Sequence, residues 1–347
     1  MYSDLPVDQL AGYLGSQTDP AGFDGFWEET LAEAQKHPLD VVLEPAASAL
    51  GTLRVWDVTF NGYGGERIRA WLRVPAEASG PLPGVVQFVG YGGGRGDVHE
   101  NLFWASAGFA HLHMDTRGQG AGWSRGATPD ASGSAGPQGP GVMTRGVTDR
   151  HTYYYRRLFT DAVRAVEALQ SLDLVDSSRC AAVGGSQGGA MALAAAALAP
   201  GLSAVAAYVP FLSDLPRAVQ ITDAYPYREL RDYLAVHRGQ PEQVMQTLQY
   251  FDAVNFSRRA RIPALFSVGL RDEVTPPSTV YAAYNNYAGP KELLVWPYNG
   301  HEGGGIEDEV AAAGFLRRVL AGNQAPVSQS AVNRAPEVFA GSPAPQD

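Results

Sequence analysis

The stretch that decides the fold runs from residue 179 to residue 199 and reads RCAAVGGSQGGAMALAAAALA. Its first part, 179–184, is apolar as a buried strand is, and its last part, 187–199, is rich in Ala and Leu, which favour helix. Glycines fill the turn between the two parts. A strand that passes through a tight turn into a helix is a βα unit, so this segment predicts a parallel sheet covered by helices.

The turn contains Gly184-Gly-Ser-Gln-Gly188, a match to G-x-S-x-G. In a nucleophile elbow the serine sits on a strained turn between a strand and a helix, where side chains at the flanking positions would clash. A second match, 122–126, is centred on Ser124 in a Gly-rich loop that has no such neighbours. The context selects Ser186 as the candidate nucleophile. An ordinary tight turn is the alternative for Ser186 and the favoured interpretation of Ser124.

The alternation of strands and helices continues on both sides of this segment, which predicts a doubly wound, mostly parallel sheet. Two strand-like runs around Asn61-Gly62 predict a hairpin, and 20–35 has the apolar spacing of an amphipathic helix. These form an N-terminal helix–hairpin extension. Residues 214–258 are predicted as a helical insertion of several short helices, and 120–150 as a long loop. The predicted strands are 52–60, 66–74, 83–89, 109–114, 179–184, 203–209, 262–269 and 291–297, and the further helices are 152–171, 187–199, 277–287 and 307–321.

The length of the chain is compatible with about two domains and equally with one large α/β domain. The chain has 347 residues, of which 45% are hydrophobic and 18% charged, and this is enough apolar material for a sizeable core. We predict a single domain over 1–322. Residues 323–347 are rich in Pro and poor in apolar side chains, so they are predicted to form a disordered tail.

Charge and cysteine content narrow the class of protein. The formal net charge is −10, which argues against binding to nucleic acid or to an anionic membrane, since both need a basic surface. The one cysteine, Cys180, permits no intrachain disulfide. The N-terminus has no basic stretch followed by an apolar run, so no signal peptide is predicted. We therefore expect a cytoplasmic location.

A serine nucleophile needs a base and an acid, which follow it in the order Ser, Asp or Glu, His in this fold class. Of the histidines after Ser186, His301 lies in a Gly-rich loop after a strand, whereas His237 lies at a predicted helix end. The strand 262–269 is followed by Asp272 and Glu273, and Asp272 is the preferred acid. Two other candidates, Asp223 and Asp252, do not follow a strand.

An acyl-transfer site also needs donors for the oxyanion. One donor is expected from the backbone N–H of Gln187, directly after the nucleophile. The other is expected from the loop Gly90-Tyr-Gly-Gly-Gly-Arg-Gly96, where the backbone N–H of Tyr91 is the best placed. This loop also resembles a dinucleotide-binding glycine pattern, but no acidic residue follows at the distance that such a site requires.

Two histidines raise the possibility of a metal. His111 and His113 lie two residues apart on one predicted strand and share one face. No Cys or carboxylate cluster completes a site with them, so two packing histidines are the favoured interpretation. We predict no metal and no cofactor.

Three motifs in this order resemble those of the acetyl xylan esterase and cephalosporin-C deacetylase family, carbohydrate esterase family seven. They are Arg117-Gly-Gln-Gly, Gly184-Gly-Ser-Gln-Gly-Gly and His301-Glu. Further stretches agree, among them Tyr153-Tyr-Tyr-Arg-Arg and Tyr250-Phe-Asp-Ala-Val-Asn-Phe. The resemblance covers about residues 1–322. It implies an α/β-hydrolase fold.

The resemblance also implies a function. It implies a cofactor-free serine esterase that removes acetyl groups from small substrates such as acetylated xylo-oligosaccharides, other sugar acetates and cephalosporin C, and that assembles as a homohexamer. The resemblance implies that Ser186 is the nucleophile, His301 the base and Asp272 the orienting acid. It also implies that Tyr91 and Gln187 are the oxyanion donors and that Tyr91 and Pro226 bind substrate. Finally, it implies an architectural motif made of Arg117, Gly118 and Gln119.

Three other functions stay open from the sequence. The nearest is another hydrolase on the same fold, either a carboxylesterase for longer acyl chains or a peptidase. The second is a binding module that has the hydrolase fold but no catalysis. The third is a metal hydrolase that uses His111 and His113, which predicts inhibition by chelators.

Overall fold

The structure of the protein, a computed structural model, describes residues 4–131 and 141–322. The predicted tail 323–347 and part of the predicted loop 120–150 lie outside the described residues. Nine strands in the described part form one sheet, in the order β1-β2-β3-β5-β4-β6-β7-β8-β9. The strands are β1 Val42–Pro45, β2 Leu53–Asn61, β3 Arg67–Pro75, β4 Leu82–Phe88, β5 Ala110–Met114, β6 Val175–Gly185, β7 Leu202–Tyr208, β8 Ala264–Gly269 and β9 Lys291–Trp296.

The sheet is mostly parallel, as predicted. The strands β1, β2 and β3 pair antiparallel, and β3 pairs antiparallel with β5. From β5 through β4, β6, β7 and β8 to β9 every pair is parallel. The carboxyl ends of these six strands therefore meet at one edge of the sheet, where ligands bind in open α/β sheets.

Helices cover both faces of the sheet. One core lies between the sheet and a layer that includes α2, α4 and α5, and a second core lies under α3 and α11. This is the doubly wound α/β-hydrolase architecture. The helices are α1 Val7–Leu10, α2 Phe23–Gln35, α3 Phe103–Ser106, α4 Tyr154–Gln170, α5 Gln187–Leu198, α6 Leu215–Ile221, α7 Tyr227–Val236, α8 Pro241–Leu248, α9 Ala253–Ser257, α10 Pro277–Asn286 and α11 Ile306–Leu320.

Most predicted elements are confirmed. The hairpin β2–β3, the helix α2 and the four short helices of the insertion, α6 to α9, lie where the sequence places them. The strand β6 begins at Val175, earlier than predicted, and its residues 177–179 form a bulge where the register with β4 shifts. The short elements α1, β1 and α3 and a 3-10 turn at Tyr63–Gly65 were not predicted, since each spans four residues or fewer and shows no readable period.

The helix α5 explains the uncharged stretch around it. Its residues 187–195 are all buried between the sheet and α4. A helix that is buried all round has no polar face, so its composition resembles that of a membrane span. None of the helices within 4–131 and 141–322 is both long and apolar enough to cross a bilayer.

Candidate active site

Ser186 sits at the turn between β6 and α5, at the carboxyl edge of the sheet. Its φ is 55° and its ψ is −119°, a conformation that L-residues rarely adopt outside functional turns. A Cβ on Gly184 would lie 2.4 Å from the carbonyl carbon of Gly188, and one on Gly188 would lie 2.2 Å from the carbonyl oxygen of Phe88. Both motif glycines are thus required by close backbone contact. The turn is a nucleophile elbow.

The structure brings the three residues of the predicted triad together. His301 Nε2 lies 3.0 Å from Ser186 Oγ, and His301 Nδ1 lies 2.8 Å from Asp272 Oδ2. Each residue follows a different strand, β6, β8 or β9. Asp272 is fully buried, whereas the His301 side chain is 31% exposed. The His301 ring is therefore fixed at Nδ1 by Asp272 and is accessible to a substrate on the Nε2 side.

The carboxylate of Asp272 is held mainly by its own loop. Its Oδ1 accepts hydrogen bonds from the backbone N–H groups of Val274 and Thr275, at 2.8 and 2.9 Å. Its Oδ2 accepts a further bond of 2.7 Å from the Thr275 hydroxyl. A carboxylate that accepts several such bonds is fixed in place. The sequence analysis did not identify Thr275, because a threonine three residues after an acid is common in turns and gives no specific signal.

The loop that carries His301 is anchored by a second residue that was missed, Asp308 in the first turn of α11. Its Oδ2 accepts from the backbone N–H of Gly304 and from the Ser267 hydroxyl, at 2.8 and 2.7 Å. Its Oδ1 accepts from the indole of Trp296 at 2.9 Å. Asp308 thus ties the histidine loop to the ends of β8 and β9.

The predicted oxyanion loop, 90–96, lies beside the elbow. A Cβ on Gly90 would lie 3.8 Å from the carbonyl oxygen of Gly185, so the two turns are in contact. Neither the backbone N–H of Tyr91 nor that of Gln187 donates a hydrogen bond to another described residue. Both are therefore available as donors at the elbow.

Hydrogen bonds made by side chains connect the oxyanion loop, 90–96, to the nucleophile elbow. Gln119 accepts a bond of 2.7 Å from the backbone N–H of Gly92 and donates one of 2.9 Å to the side chain of Gln187. The Gln187 side chain also accepts from the Tyr155 hydroxyl at 3.0 Å and donates to the carbonyl of Val89 at 3.3 Å. Gln119 and Tyr155 thus fix the distance between the two predicted oxyanion donors.

The Tyr91 side chain reaches away from the loop to a buried acid that the sequence did not reveal. Its hydroxyl donates to Glu229 Oε1 at 2.6 Å and accepts from the backbone N–H of Val142 at 2.7 Å. Glu229, in α7, also accepts from the backbone N–H of Met143 at 3.1 Å. Burial raises the pKa of Glu229 to about 7. The helical insertion therefore holds the oxyanion loop through one carboxyl group.

The predicted architectural motif lies behind the site. Arg117 is fully buried and forms a bidentate pair with Asp161 of α4, at 2.5 and 2.8 Å, and a further pair with Glu66 at 2.7 Å. Gly118 has a φ of 65°, which favours glycine. Neither residue lines the cavity that contains Ser186.

The other candidates from the sequence lie elsewhere or have different contacts. Ser124 donates to the carbonyl of Gly94 in an irregular loop, and His237 ends α7 with its ring stacked on Tyr233. Asp252 begins α9 and accepts from the backbone N–H of Val254 at 2.9 Å. Asp223 pairs with Arg231, and Glu273 is exposed. None of these contacts involves Ser186.

The two histidines of β5 are buried. Their rings stack at 5.6 Å, and His111 Nε2 lies 2.8 Å from the side-chain oxygen of Gln87. Burial, with the nearby charges of Arg73 and Arg95, lowers the pKa of His113 to about 3. Within 4–131 and 141–322, no group of three or more His, Cys, Asp or Glu is arranged to hold a metal.

A cavity of about 530 Å³ contains Ser186 and His301. The predicted substrate-binding residues Tyr91 and Pro226 both line it, and Pro226 comes directly before α7 of the insertion. The site thus combines an activated-serine geometry with a cavity large enough for a small substrate.

The chain is similar to known proteins in both sequence and structure. The family model for acetyl xylan esterase (AXE1) matches residues 1–319. The acetyl esterase Axe7A of Xylanibacter ruminicola is 32% identical over 291 residues, which are 82% of this chain and 64% of that protein. The chain thus spans somewhat less than two thirds of the length of this relative.

Two solved structures are similar over nearly the whole chain. The acetyl xylan esterase from Paenibacillus sp. R4 is 37% identical, with a TM-score of 0.86, over 91% of this chain and 100% of that one. Acetyl xylan esterase 1 from Thermoanaerobacterium sp. JW/SL YS485 is 33% identical, with a TM-score of 0.83, over 90% and 99%. Fold, site and relatives define the class as carboxylic ester hydrolases with the α/β-hydrolase fold. Within that class, the chain belongs to the acetyl xylan esterase family.

Proposed function

We propose that the protein is a serine esterase that removes acetyl groups from small acetylated substrates through an acetyl-enzyme intermediate. The observation that carries the proposal is the hydrogen-bonded series Ser186, His301 and Asp272, with spacings of 3.0 and 2.8 Å, whose first two members line one cavity. Membership of the acetyl xylan esterase family supports the acetyl group as the acyl part.

The reaction proceeds in two halves. His301 Nε2 takes the proton of Ser186 as Oγ attacks the acetyl carbonyl carbon, and the backbone N–H groups of Tyr91 and Gln187 stabilise the resulting oxyanion. The carbon–oxygen bond to the alcohol breaks, and the alcohol leaves with the proton from His301. A water molecule, deprotonated by His301, then attacks the acetyl carbonyl carbon; the bond from this carbon to Ser186 Oγ breaks, acetate leaves, and His301 returns the proton to Oγ. Asp272 holds the imidazole in the required tautomer and stabilises its protonated form.

Acetylated xylo-oligosaccharides, other sugar acetates and cephalosporin C are the proposed substrates. The family and the names of the similar proteins support an acetylated carbohydrate. Cephalosporin C rests on the resemblance of the sequence motifs alone. All of these substrates share the acetyl group and differ only in the leaving alcohol.

The first test is the hydrolysis of p-nitrophenyl acetate, butyrate and octanoate by the wild type and by Ser186→Ala. We expect a clear preference for acetate and a loss of about 10⁴–10⁶-fold in kcat in the variant, as for other serine hydrolases that lose the nucleophile. Ser177→Ala, at an exposed serine outside the cavity, is the matched control and should retain wild-type kcat. Turnover that increases from acetate to octanoate would contradict the deacetylase proposal and favour a longer-chain carboxylesterase.

We also propose that the protein works as a homohexamer in the cytoplasm, and the family resemblance supports the assembly. Light scattering coupled to gel filtration measures the mass in solution directly. A monomer at micromolar concentration would contradict the proposed assembly and would leave the esterase proposal unaffected.

A further inference from the structure

The segment 208–211, which we call the brace, lies at the end of β7 beside the nucleophile elbow. The carbonyl oxygen of Tyr208 accepts a hydrogen bond of 2.9 Å from the backbone N–H of Ser186. The carbonyl oxygen of Ser186 accepts one of 3.0 Å from the backbone N–H of Phe211. Both backbone polar groups of the proposed nucleophile are therefore bonded to the brace, one at each end of it.

The brace also contacts the loops that carry the other two members of the triad. The Thr275 hydroxyl, which donates to Asp272, lies 3.2 Å from the carbonyl oxygen of Val209. A Cβ on Gly303, two residues after His301, would lie 3.4 Å from Val209 Cγ1. The carbonyl group of Val209 thus faces the loop of Asp272, and its side chain faces the histidine loop.

The backbone of Val209 has a conformation that valine rarely adopts. Its φ is 38°, in the left-handed region, where a β-branched side chain crowds the backbone. Pro210 follows, and a residue before proline normally takes an extended conformation. Leu212 and Asp214, with φ values of 57° and 48°, also lie in the left-handed region. Such residues persist only where the surrounding structure fixes them, and they cluster at functional sites.

Contacts on several sides fix Val209 in this conformation. Its backbone N–H donates to the carbonyl of Ser267 in β8 at 2.9 Å, and the residue is only 4% exposed. The ring of Phe211 packs against Tyr227 of the insertion, with ring centroids 4.4 Å apart, and against Tyr91 of the oxyanion loop, at 6.2 Å. The brace is therefore held between the sheet, the insertion and the oxyanion loop.

We propose that Val209 is a positioning residue whose strained backbone fixes Ser186 relative to the loops of His301 and Asp272. The inference rests on the proposed esterase function and deepens it. Only a narrow range of φ and ψ is open to a β-branched residue in the left-handed region, whereas glycine has a wide range there. The valine therefore keeps the brace rigid, and the strain lowers the stability of the fold.

The alternative role for Val209 is to fill space beside the histidine loop. Substitution by alanine and by glycine distinguishes the two roles. Alanine removes the two methyl groups but keeps the Cβ that confines the backbone, and glycine removes the Cβ as well. A space-filling role predicts similar kcat values in the two variants and the lower stability in the one with the larger cavity. A positioning role predicts that kcat falls mainly in the glycine variant.

The test measures kcat and KM for p-nitrophenyl acetate, together with urea unfolding, in the full-length wild type, Val209→Thr, Val209→Ala and Val209→Gly. Active sites are counted by titration with a fluorophosphonate carried to completion, so that kcat refers to reactive protein only. The matched control is the same pair of substitutions at Val42 in the edge strand β1, where the residue is 39% exposed and lies outside the cavity.

We expect Val209→Thr, which keeps the β-branch, to retain kcat within about twofold of wild type. Val209→Ala and Val209→Gly should change KM alike, since both lose the methyl groups of a residue that lines the cavity. In Val209→Gly, kcat should fall about three- to tenfold further than in Val209→Ala, because a mobile brace misplaces Ser186.

Stability gives a second readout. Val209→Gly should be at least as stable as Val209→Ala, because glycine relieves the strain at a positive φ. At Val42 the glycine variant should be the less stable of the two, and both should keep wild-type kcat.

Two results would overturn the positioning role and leave the esterase proposal in place. One is a kcat in Val209→Gly that lies less than about threefold below that of Val209→Ala. The other is a Val209→Gly protein that is less stable than Val209→Ala or does not fold. A wild type that does not hydrolyse p-nitrophenyl acetate would overturn the esterase proposal itself.

Discussion

The triad and the oxyanion loop are neighbours in the cavity, but they are held in different ways. Asp272 is fixed by backbone N–H groups two and three residues further along its own loop. Tyr91 is fixed by side chains far away in the sequence, from Gln119 through its loop and from Glu229 through its hydroxyl. The triad is therefore built from local structure at strand ends, and the oxyanion loop depends on the long loop and on the helical insertion.

This difference predicts different responses to mutation. Removal of a triad member should abolish the chemistry, but removal of a neighbour of the triad should have little effect, because backbone groups keep the geometry. In the oxyanion loop the neighbours themselves maintain the geometry, so their loss should be costly.

The largest effect after loss of the nucleophile is expected for Asp272→Asn. The change keeps the shape but places an N–H₂ group where the carboxylate accepts, which favours the wrong tautomer of His301 and lowers kcat about 10⁴-fold. Steady-state kinetics with p-nitrophenyl acetate measure this loss. Glu273→Gln, at the exposed neighbouring position, should behave as wild type. A loss in Asp272→Asn below tenfold would remove Asp272 from the triad.

A smaller but substantial effect is expected for Glu229→Gln. Both carboxylate oxygens of Glu229 accept hydrogen bonds, from the Tyr91 hydroxyl and the backbone N–H of Met143, and an amide can satisfy only one of them. Loss of one oxyanion donor costs about 10²–10³-fold, so displacement of Tyr91 should lower kcat about 10- to 100-fold with a smaller change in KM.

The control for this variant is Glu242→Gln on α8, where the side chain is exposed. It should retain wild-type kcat. If Glu229→Gln also retained wild-type kcat, the oxyanion loop would be as independent of its neighbours as the triad is, and the contrast between the two regions would fail.

The raised pKa of Glu229 predicts that the difference in stability between the wild type and Glu229→Gln depends on pH. The folded protein binds the proton of the Glu229 carboxyl group more tightly than the unfolded chain does, since the pKa of this group is about 7 in the fold and ordinarily 4.5. Its contribution to stability is therefore complete below about pH 4.5 and is lost as pH rises through 7.

Urea unfolding of wild type and Glu229→Gln at pH 5 and pH 8 measures this contribution. The mutation should destabilise the protein most at pH 5, and the difference in the free energy of unfolding should shrink by about 1–3 kcal/mol at pH 8. A difference that is constant with pH, or that grows, would show that Glu229 is ionised in the fold at pH 5.

The smallest effect is expected for Thr275→Val. The hydroxyl bond to Asp272 disappears, but the two backbone N–H groups remain. A single neutral-donor bond contributes about 1 kcal/mol, so kcat should fall about two- to fivefold. The values of kcat on p-nitrophenyl acetate are compared directly between Thr275→Val and Glu229→Gln. A loss above a hundredfold would mean that the triad depends on side-chain neighbours as much as the oxyanion loop does.

The same difference explains how much of the molecule could be predicted from its sequence. Ser186, Asp272 and His301 each follow an apolar run that reads as a buried strand, so the topology alone brings them to one edge of the sheet. The glycines of the elbow are predictable as well, because a Cβ at Gly184 or Gly188 would clash with neighbouring backbone atoms. These signals are local, and the strands and long helices were predicted for the same reason.

The supporting residues carry no local signal. Glu229 reads as an ordinary acid in the first turn of a helix, and Asp308 stands between Glu307 and Glu309 as one of three acids that complement the dipole of α11. Their burial is decided by which elements pack over the sheet, and that packing involves contacts more than a hundred residues apart in the case of Tyr91 and Glu229.

The central claim is that Ser186, activated by His301, is the nucleophile of this protein. The most direct measurement is labelling of the full-length wild type with a fluorophosphonate, followed by mass spectrometry of the intact protein and of its peptides. We predict one adduct per chain, located on the peptide that contains Ser186 and absent from Ser186→Ala. An adduct on Ser124 or on another serine, or no adduct while acetyl esters are still hydrolysed, would contradict it.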